Sequence, residues 1–350
     1  MTRADPVAMS CPLPHSETEV VLLGHGSGGQ LMAELLAEVI TPRLGVDGPL
    51  EDAAIVHMGQ PEVVVSTDSF VVTPRFFPGG DIGSLAVHGT INDVAMRGAR
   101  PVALTLSYIL EEGLPLADLR RITDSVADAA RSAGIRIVAG DTKVVGRGAA
   151  DGIYLTTTGL GIRLPGAEVT AAGARPGDVV LLSGPIGVHG SAILAAREDL
   201  GFDADLVSDS QPLHRLVEAM IRAGGPAVHA LRDPTRGGLA SALNELAQTS
   251  SVAIELVEAD LPVPAPVASF CDLLGLDPLH VANEGCLVAL VAPEYADAVL
   301  AAMHAQPEGE TARAIGHVTT GPVGRVTART LIGSSRIVDM LVGEQLPRIC

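Results

Sequence analysis

Five acids sit in short runs of small residues: Asp52 in Glu-Asp-Ala-Ala, Asp68 in Ser-Thr-Asp-Ser, Asp93 in Ile-Asn-Asp-Val, Asp141 in Gly-Asp-Thr-Lys and Asp233 in Arg-Asp-Pro-Thr. Each lies beside an expected strand or helix end, where a single acid is ordinarily a cap or turn residue. Five such acids from separate loops offer the hard oxygen ligands that magnesium needs when it carries a nucleotide phosphate. The ion would neutralise charge on a transferring phosphoryl group. Of the 23 basic residues, 22 are arginine and one is lysine, Lys143, beside Asp141. A lysine gives a compact, titratable charge that arginine does not. Arg232-Asp233-Pro234-Thr235-Arg236-Gly237-Gly238 precedes a helical pattern. Its glycines permit close approach of a ligand, and Arg236 would clamp a phosphate; an ordinary loop with solvated arginines fits equally well. Glu284, in Asn283-Glu284-Gly285 just before a strand, reads as a surface acid or as a base.

The chain ends Leu346-Pro347-Arg348-Ile349-Cys350. Chain ends usually fray. This one carries the most nucleophilic side chain available at its last residue. An extended tail over residues 344–350 reaches roughly 20 Å. The terminal carboxylate would raise the thiol pKa and Arg348 would partly offset that. Cys350 therefore reads as a carrier loaded by another protein. A glycine run, Gly24-His25-Gly26-Ser27-Gly28-Gly29, opens a helical pattern. It reads equally as a phosphate cradle or a flexible turn, and it is neither a Walker A nor a dinucleotide loop.

Strands are expected over 63–68, 101–110, 135–139, 153–160, 179–183 and 286–291, with two short ones near the end. Helices are expected over 31–40, 81–97, 116–134, 191–197, 239–247 and 295–304. Residues 1–18 form an irregular lead-in, 19–165 and 166–343 two α/β (or α+β) domains, and 344–350 a mobile tail. The boundary falls in the Ala-, Gly- and Pro-rich stretch 165–176.

Hydrophobic residues make up 47% of the 350 and charged ones 18%, which is globular. Aromatics are only 2% and net charge is −18, so base stacking and a phosphate-rich polymer partner are both disfavoured. Four scattered cysteines suit a reducing cytoplasm better than a disulfide framework. No uninterrupted apolar run is long enough to span a membrane.

Taken together, these stretches resemble one family. They are joined by Phe76-Phe77-Pro78-Gly79-Gly80-Asp81-Ile82-Gly83, Gly140-Asp141-Thr142-Lys143-Val144-Val145 and Ala282-Asn283-Glu284-Gly285. The sequence is similar to the HypE hydrogenase maturation factors, the carbamoyl dehydratases. Its Arg-Ile-Cys end separates that family from the related aminoimidazole ribonucleotide synthetases and selenophosphate synthetases. The resemblance implies two α/β domains, with the N-terminal one pairing with a second copy near an ATP site. It implies that HypF carbamoylates Cys350, that ATP then drives dehydration to a thiocyanate, and that the cyano group passes to iron on a HypC–HypD complex of [NiFe]-hydrogenase assembly. It carries magnesium ligation to Asp52, Asp68, Asp93, Asp141 and Asp233. Nucleotide contacts fall on Gly26, Ser27, Gly28, Gly29, Thr67, Asp68, Asn92, Asp93, Gly140, Asp141 and Arg236. Catalysis falls on Cys350, Lys143 and Glu284. Two other readings share part of this pattern: a kinase or synthetase of a free small molecule, and a non-enzymatic carrier.

Overall fold

The computed structural model describes residues 29–35, 37, 51–56, 62–198, 206–341 and 348–350. The lead-in 1–18, Gly26, Ser27, Gly28 and tail residues 344–347 lie outside the described residues. In chain order, α1 (Gln30–Leu35) is followed by β1 (Ala54–Val56) and β2 (Val63–Phe70). The short pair β3 (Phe76–Phe77) and β4 (Gly80–Asp81) leads into α2 (Ile82–Met96). Asp81 starts that helix: its carboxylate accepts from Gly83 N–H at 2.7 Å and Ser84 N–H at 3.1 Å, while Ser84 Oγ accepts from Asp81 N–H. This reciprocal cap satisfies donors that the first turn leaves open. Helix α2 is buried almost all round, as expected of a helix caught between two layers.

Next come β5 (Ala99–Glu111), the amphipathic α3 (Leu116–Ala133), β6 (Arg136–Val145) and β7 (Ile153–Arg163). They complete a five-stranded sheet of order β1-β2-β7-β5-β6, in which only β5 and β6 run parallel, joined through α3. Helices α2 and α3 cover one face. Strand β6 does not end at Ala139 as expected but continues to Val145. The long β5 supplies ladder partners as far as Glu111, so Gly140-Asp141-Thr142-Lys143 lie within a strand and not at its end. Gly140 leaves no room for a side chain: a Cβ there would sit 2.3 Å from the Leu106 carbonyl oxygen.

The second half contains β8 (Val179–Leu182), α4 (Val188–Glu198), α5 (His214–Gly224), β9 (Val228–Arg232), α6 (Gly238–Thr249), β10 (Ala253–Val257), α7 (Ala265–Leu274), β11 (Val288–Val291) and α8 (Pro293–His304). Strands β12 (Arg313–Thr319), β13 (Val326–Arg329) and β14 (Ser335–Ile337) close it. Its sheet has seven strands in the order β14-β13-β10-β12-β8-β11-β9. Leu239, Leu243 and Leu246 of α6 pack on one face, and Leu216, Met220, Val299 and Met303 of α5 and α8 on the other. Three strands follow α8 where two were expected, and α5, β9, β10 and α7 were not anticipated, although Leu216, Val217, Met220 and Ile221 mark one apolar face of α5 at helical spacing.

Residues 165–176 connect the halves without being loose. Ala167 and Val169 are buried against Met96, and Glu51 accepts from Ala171 N–H at 2.8 Å while pairing with Arg97 at 3.1 Å. Helices α4 and α7 pack on the first half through Ile193, Val267 and Phe270, in one cluster with Phe70 and Phe77. This junction positions the site.

Candidate active site

Three of the five acids converge at the junction. Asp52 precedes β1, Asp93 lies late in α2 and Asp233 follows β9. Their carboxylate oxygens lie within 4.8 Å of one another. Ser66 Oγ on β2 is 2.8 Å from Asp93 Oδ2 and 2.9 Å from the Asp52 carbonyl oxygen. Burial pushes Asp93 well above the usual carboxylate range, and Asp68, Asp233 and Asp52 push it further. Burial, then Asp52, raises Asp233 to about 8. Burial also raises Asp52, although Arg232 opposes this by bridging it to Glu245. Such mutually repelling carboxylates match the chemistry of a divalent cation, whose charge would relieve the repulsion. Asp68 stands beside them on β2, its Oδ2 accepting from Thr90 Oγ1 at 2.9 Å.

Gly140, Asp141 and Lys143 do not join this cluster within one chain. The register rows run Asp68–Thr157–Leu106–Gly140 across four strands, three spacings or about 14 Å. Alternation then puts Asp141 and Lys143 on the other face of the sheet, with Thr67 and Ser69. There Lys143 Nζ donates to Asp141 Oδ2 at 2.7 Å, and that hydrogen bond holds the Asp141 carboxyl below its usual range. Asn92 has another task in this chain. Its amide donates to Gln211 O at 3.1 Å and accepts from Leu213 N–H at 2.8 Å, clasping α2 to the second half.

The last three residues enter the same junction. Ile349 is buried in the cluster with Phe70 and Phe77. Burial pushes the Cys350 thiol up to about 12; Arg236 opposes this, and Glu284, Asp68 and Asp93 reinforce it. The offsetting cation is thus Arg236 and not Arg348, whose guanidinium turns away to Val71 O at 2.9 Å and Asp151. Glu284 is buried, with Oε1 meeting no hydrogen-bond partner, and burial with Asp233 and Asp209 raises its carboxyl well above the usual range. A protonatable carboxyl, a guanidinium and a thiol therefore lie within electrostatic reach of one another and of a cation-competent acid cluster. This arrangement suits proton removal from a group carried on the sulfur.

Comparison with known proteins fits this geometry. Residues 50–163 match the N-terminal domain of AIR synthase related proteins, and residues 175–329 match their C-terminal domain. Carbamoyl dehydratase HypE of Azotobacter vinelandii is 55% identical over 328 residues, covering 93% of this chain and 96% of that protein. The chain belongs to the HypE family. A chain from the crystal structure of a HypE–HypF complex has a TM-score of 0.84 at 47% identity, covering 88% of this chain and 99% of that one. HypE crystallised with ATP has a TM-score of 0.80 at 46% identity, covering 95% of this chain and 100% of that one.

For a HypE-family site, several residues escaped the sequence reading. Asp209 accepts from Glu284 N–H at 3.1 Å and Gly285 N–H at 3.0 Å. Gly285 is required there, since a Cβ would fall 1.7 Å from the Asp209 carbonyl oxygen. His189 and Arg197 reach the tail backbone, and Ser208 backs His189. Asp209 sits in a polar run, Ser208-Asp209-Ser210-Gln211, which has no period and reads as plain loop. Burial raises its carboxyl to about 6 despite those N–H donors. Folding thus favours the protonated form: the stability contribution is full below about pH 4 and is lost as pH rises through about 6. The Asp209→Asn variant does not share that loss. Relative to wild type it should gain about 3 kcal/mol between roughly pH 4 and 7, measured by urea denaturation at each pH.

Proposed function

We propose that this chain is an ATP-dependent carbamoyl dehydratase acting on its own Cys350, and that it supplies the cyano ligand for a [NiFe]-hydrogenase iron. The observation that carries this is the C-terminal residue seated in the junction by its backbone, with its thiol within electrostatic reach of Arg236, Glu284, Asp68 and Asp93. HypF is the carbamoyl donor in this reading, in line with the HypE–HypF complex of its relative. A HypC–HypD complex takes the cyano group. ATP supplies the phosphoryl group that turns the poor carboxamide oxygen leaving group into a good one. Asp52, Asp93 and Asp233, with Asp68 adjacent, would hold a magnesium ion, whose charge would offset that of the phosphate. In the net change the S-bound carboxamide loses its oxygen, as phosphate, and both N–H protons, leaving S–C≡N.

Glu284 is the base that removes those protons, and Arg236 orients the anionic phosphate. The seated tail excludes water that would otherwise hydrolyse the activated group. Lys143 and Asp141 act from a second copy in this reading, with Gly140 and Thr67 on the same sheet. Support comes from the open face and edge at β6, where Ile137, Val138, Val144, Ile109 and Val102 are exposed. Such an apolar patch on a sheet edge calls for a partner. A reducing cytoplasm suits a free thiol at this position, and no helix among the described residues is long and apolar enough to cross a membrane.

The deciding experiment is mass spectrometry of the C-terminal peptide after incubation with HypF, carbamoyl phosphate and ATP. A carbamoyl mass should appear on Cys350, followed by loss of one water only with hydrolysable ATP. Persistence of the carbamoyl mass with ATP present sinks the proposal. The acid cluster has its own test. Removing one of three repelling carboxylates should stabilise the cation-free protein, so Asp93→Asn should raise Tm by roughly 2–4 °C without magnesium. The same variant should lose the further rise that magnesium and ATP give wild type, as read by thermal shift.

A further inference from the structure

The tail is held largely through its main chain. Val71 N–H donates to Cys350 O at 3.0 Å and Thr73 N–H to Arg348 O at 3.1 Å, an antiparallel continuation beyond β2. Arg197 Nη2 donates to Arg348 O at 3.0 Å and to Thr73 O at 2.7 Å. Between these, His189 Nε2 lies 2.6 Å from Ile349 O, and its Nδ1 lies 2.8 Å from Ser208 Oγ. A carbonyl oxygen only accepts, so Nε2 carries the proton and Nδ1 accepts from the Ser208 hydroxyl. Ser208 Oγ in turn accepts from Ser210 N–H at 3.1 Å, which leaves its own proton for His189. The imidazole is fully buried, and the Phe77 ring meets it edge-on at 5.6 Å. Asp209, the next residue after Ser208, takes the N–H groups of Glu284 and Gly285. One short stretch therefore fixes both the histidine and the carboxyl that faces the thiol.

We infer that His189 is a positioning residue: a latch, set in its Nε2–H tautomer by Ser208, that holds the tail so that Cys350 meets Arg236 and Glu284. The latch touches only the backbone of residue 349. It can therefore release and recapture the tail whether or not the sulfur carries a group. The Ile349 side chain fills the apolar seat, and Arg348 braces the approach through Val71 O, Asp151 and Tyr154. This inference rests on the reading of Cys350 as the loaded thiol. Its test needs neither ATP nor carbamoyl chemistry, so the two can fail separately.

In the seat the thiol is half-buried against the apolar cluster and its backbone is pinned by Val71, Thr73, Arg197 and His189, so alkylation is faster from the released tail. The full chain is treated with iodoacetamide, and labelling is read by mass spectrometry at Cys350 and at the buried Cys271 and Cys286. Removing the donor in His189→Leu leaves the Ile349 carbonyl unpaired in the seat, so Cys350 should react roughly ten-fold faster or more. His189→Gln keeps an N–H at that reach and should stay within about three-fold of wild type. Cys271 and Cys286 should remain protected in both. Wild-type labelling of Cys350 in His189→Leu, with the other two protected, overturns the latch. If His189→Leu exposes all three cysteines, Ser208→Ala decides. It should accelerate Cys350 alone, and a wild-type rate there overturns the proposal.

Discussion

In Cys350→Ala the C-terminal peptide gains no mass from HypF and carbamoyl phosphate, and dehydration falls below detection, a loss of at least about 10³-fold. The other described cysteines, Cys271 and Cys286, are buried, and burial raises both thiols above their ordinary range. ATP binding survives, because the acids and Arg236 stand independently of the sulfur. Mass spectrometry of the peptide and a nucleotide-binding titration check the two halves. A carbamoyl mass found elsewhere on the chain, followed by water loss, would show that the thiol is dispensable. A free-substrate kinase would keep its turnover in this variant, which separates that reading from the carrier-bound one.

Glu284→Gln is expected to slow dehydration by about 10²–10⁴-fold while leaving carbamoyl loading and ATP binding near wild type. The substitution keeps the shape and the backbone N–H that donates to Asp209, and it removes only the ionisable carboxyl that the proposal assigns as base. Burial and the neighbouring Asp233 and Asp209 raise the Glu284 carboxyl, against Arg236. A base must be ionised to work, so the wild-type rate should climb with pH through that raised value, and Glu284→Gln should lack this limb. Stability runs the other way. A raised carboxyl contributes stability at low pH that is lost as pH rises through its folded value, so the glutamine variant should gain on wild type in alkaline buffer. Single-turnover rates across pH, with loaded Cys350, check the first point; urea denaturation checks the second. An unchanged rate profile in the variant would remove Glu284 from the reaction.

Much of the site was legible as residue types and little of it as geometry. Motifs name Asp52, Asp93 and Asp233, because each lies in a distinctive local run at the end of an element. They name Asp141 and Lys143 with equal force. Local sequence carries no information on strand order, and order is what separates β6 from β2 by two intervening strands. The odd parity of Asp141 against the even parity of Asp68 in the shared rows then sends them to opposite faces. His189 and Asp209 left no trace for a similar reason. A histidine among small residues at a helix start, and an acid in a polar run, look like many others until their long-range partners Ile349 and Glu284 are known.

The amino-acid sequence alone determined the family, the α/β class, the main helices and strands, and the presence of a thiol on the final residue. These rest on local periodicity, caps and contiguous motifs, which do not depend on distant contacts. Only the tertiary structure decided which acids share a cluster, that Arg236 and not Arg348 faces the sulfur, and that Asn92 clasps the two halves. Each of these is a pairing between residues far apart in the chain, brought together by strand order, by burial of α2 between two layers and by seating of the tail.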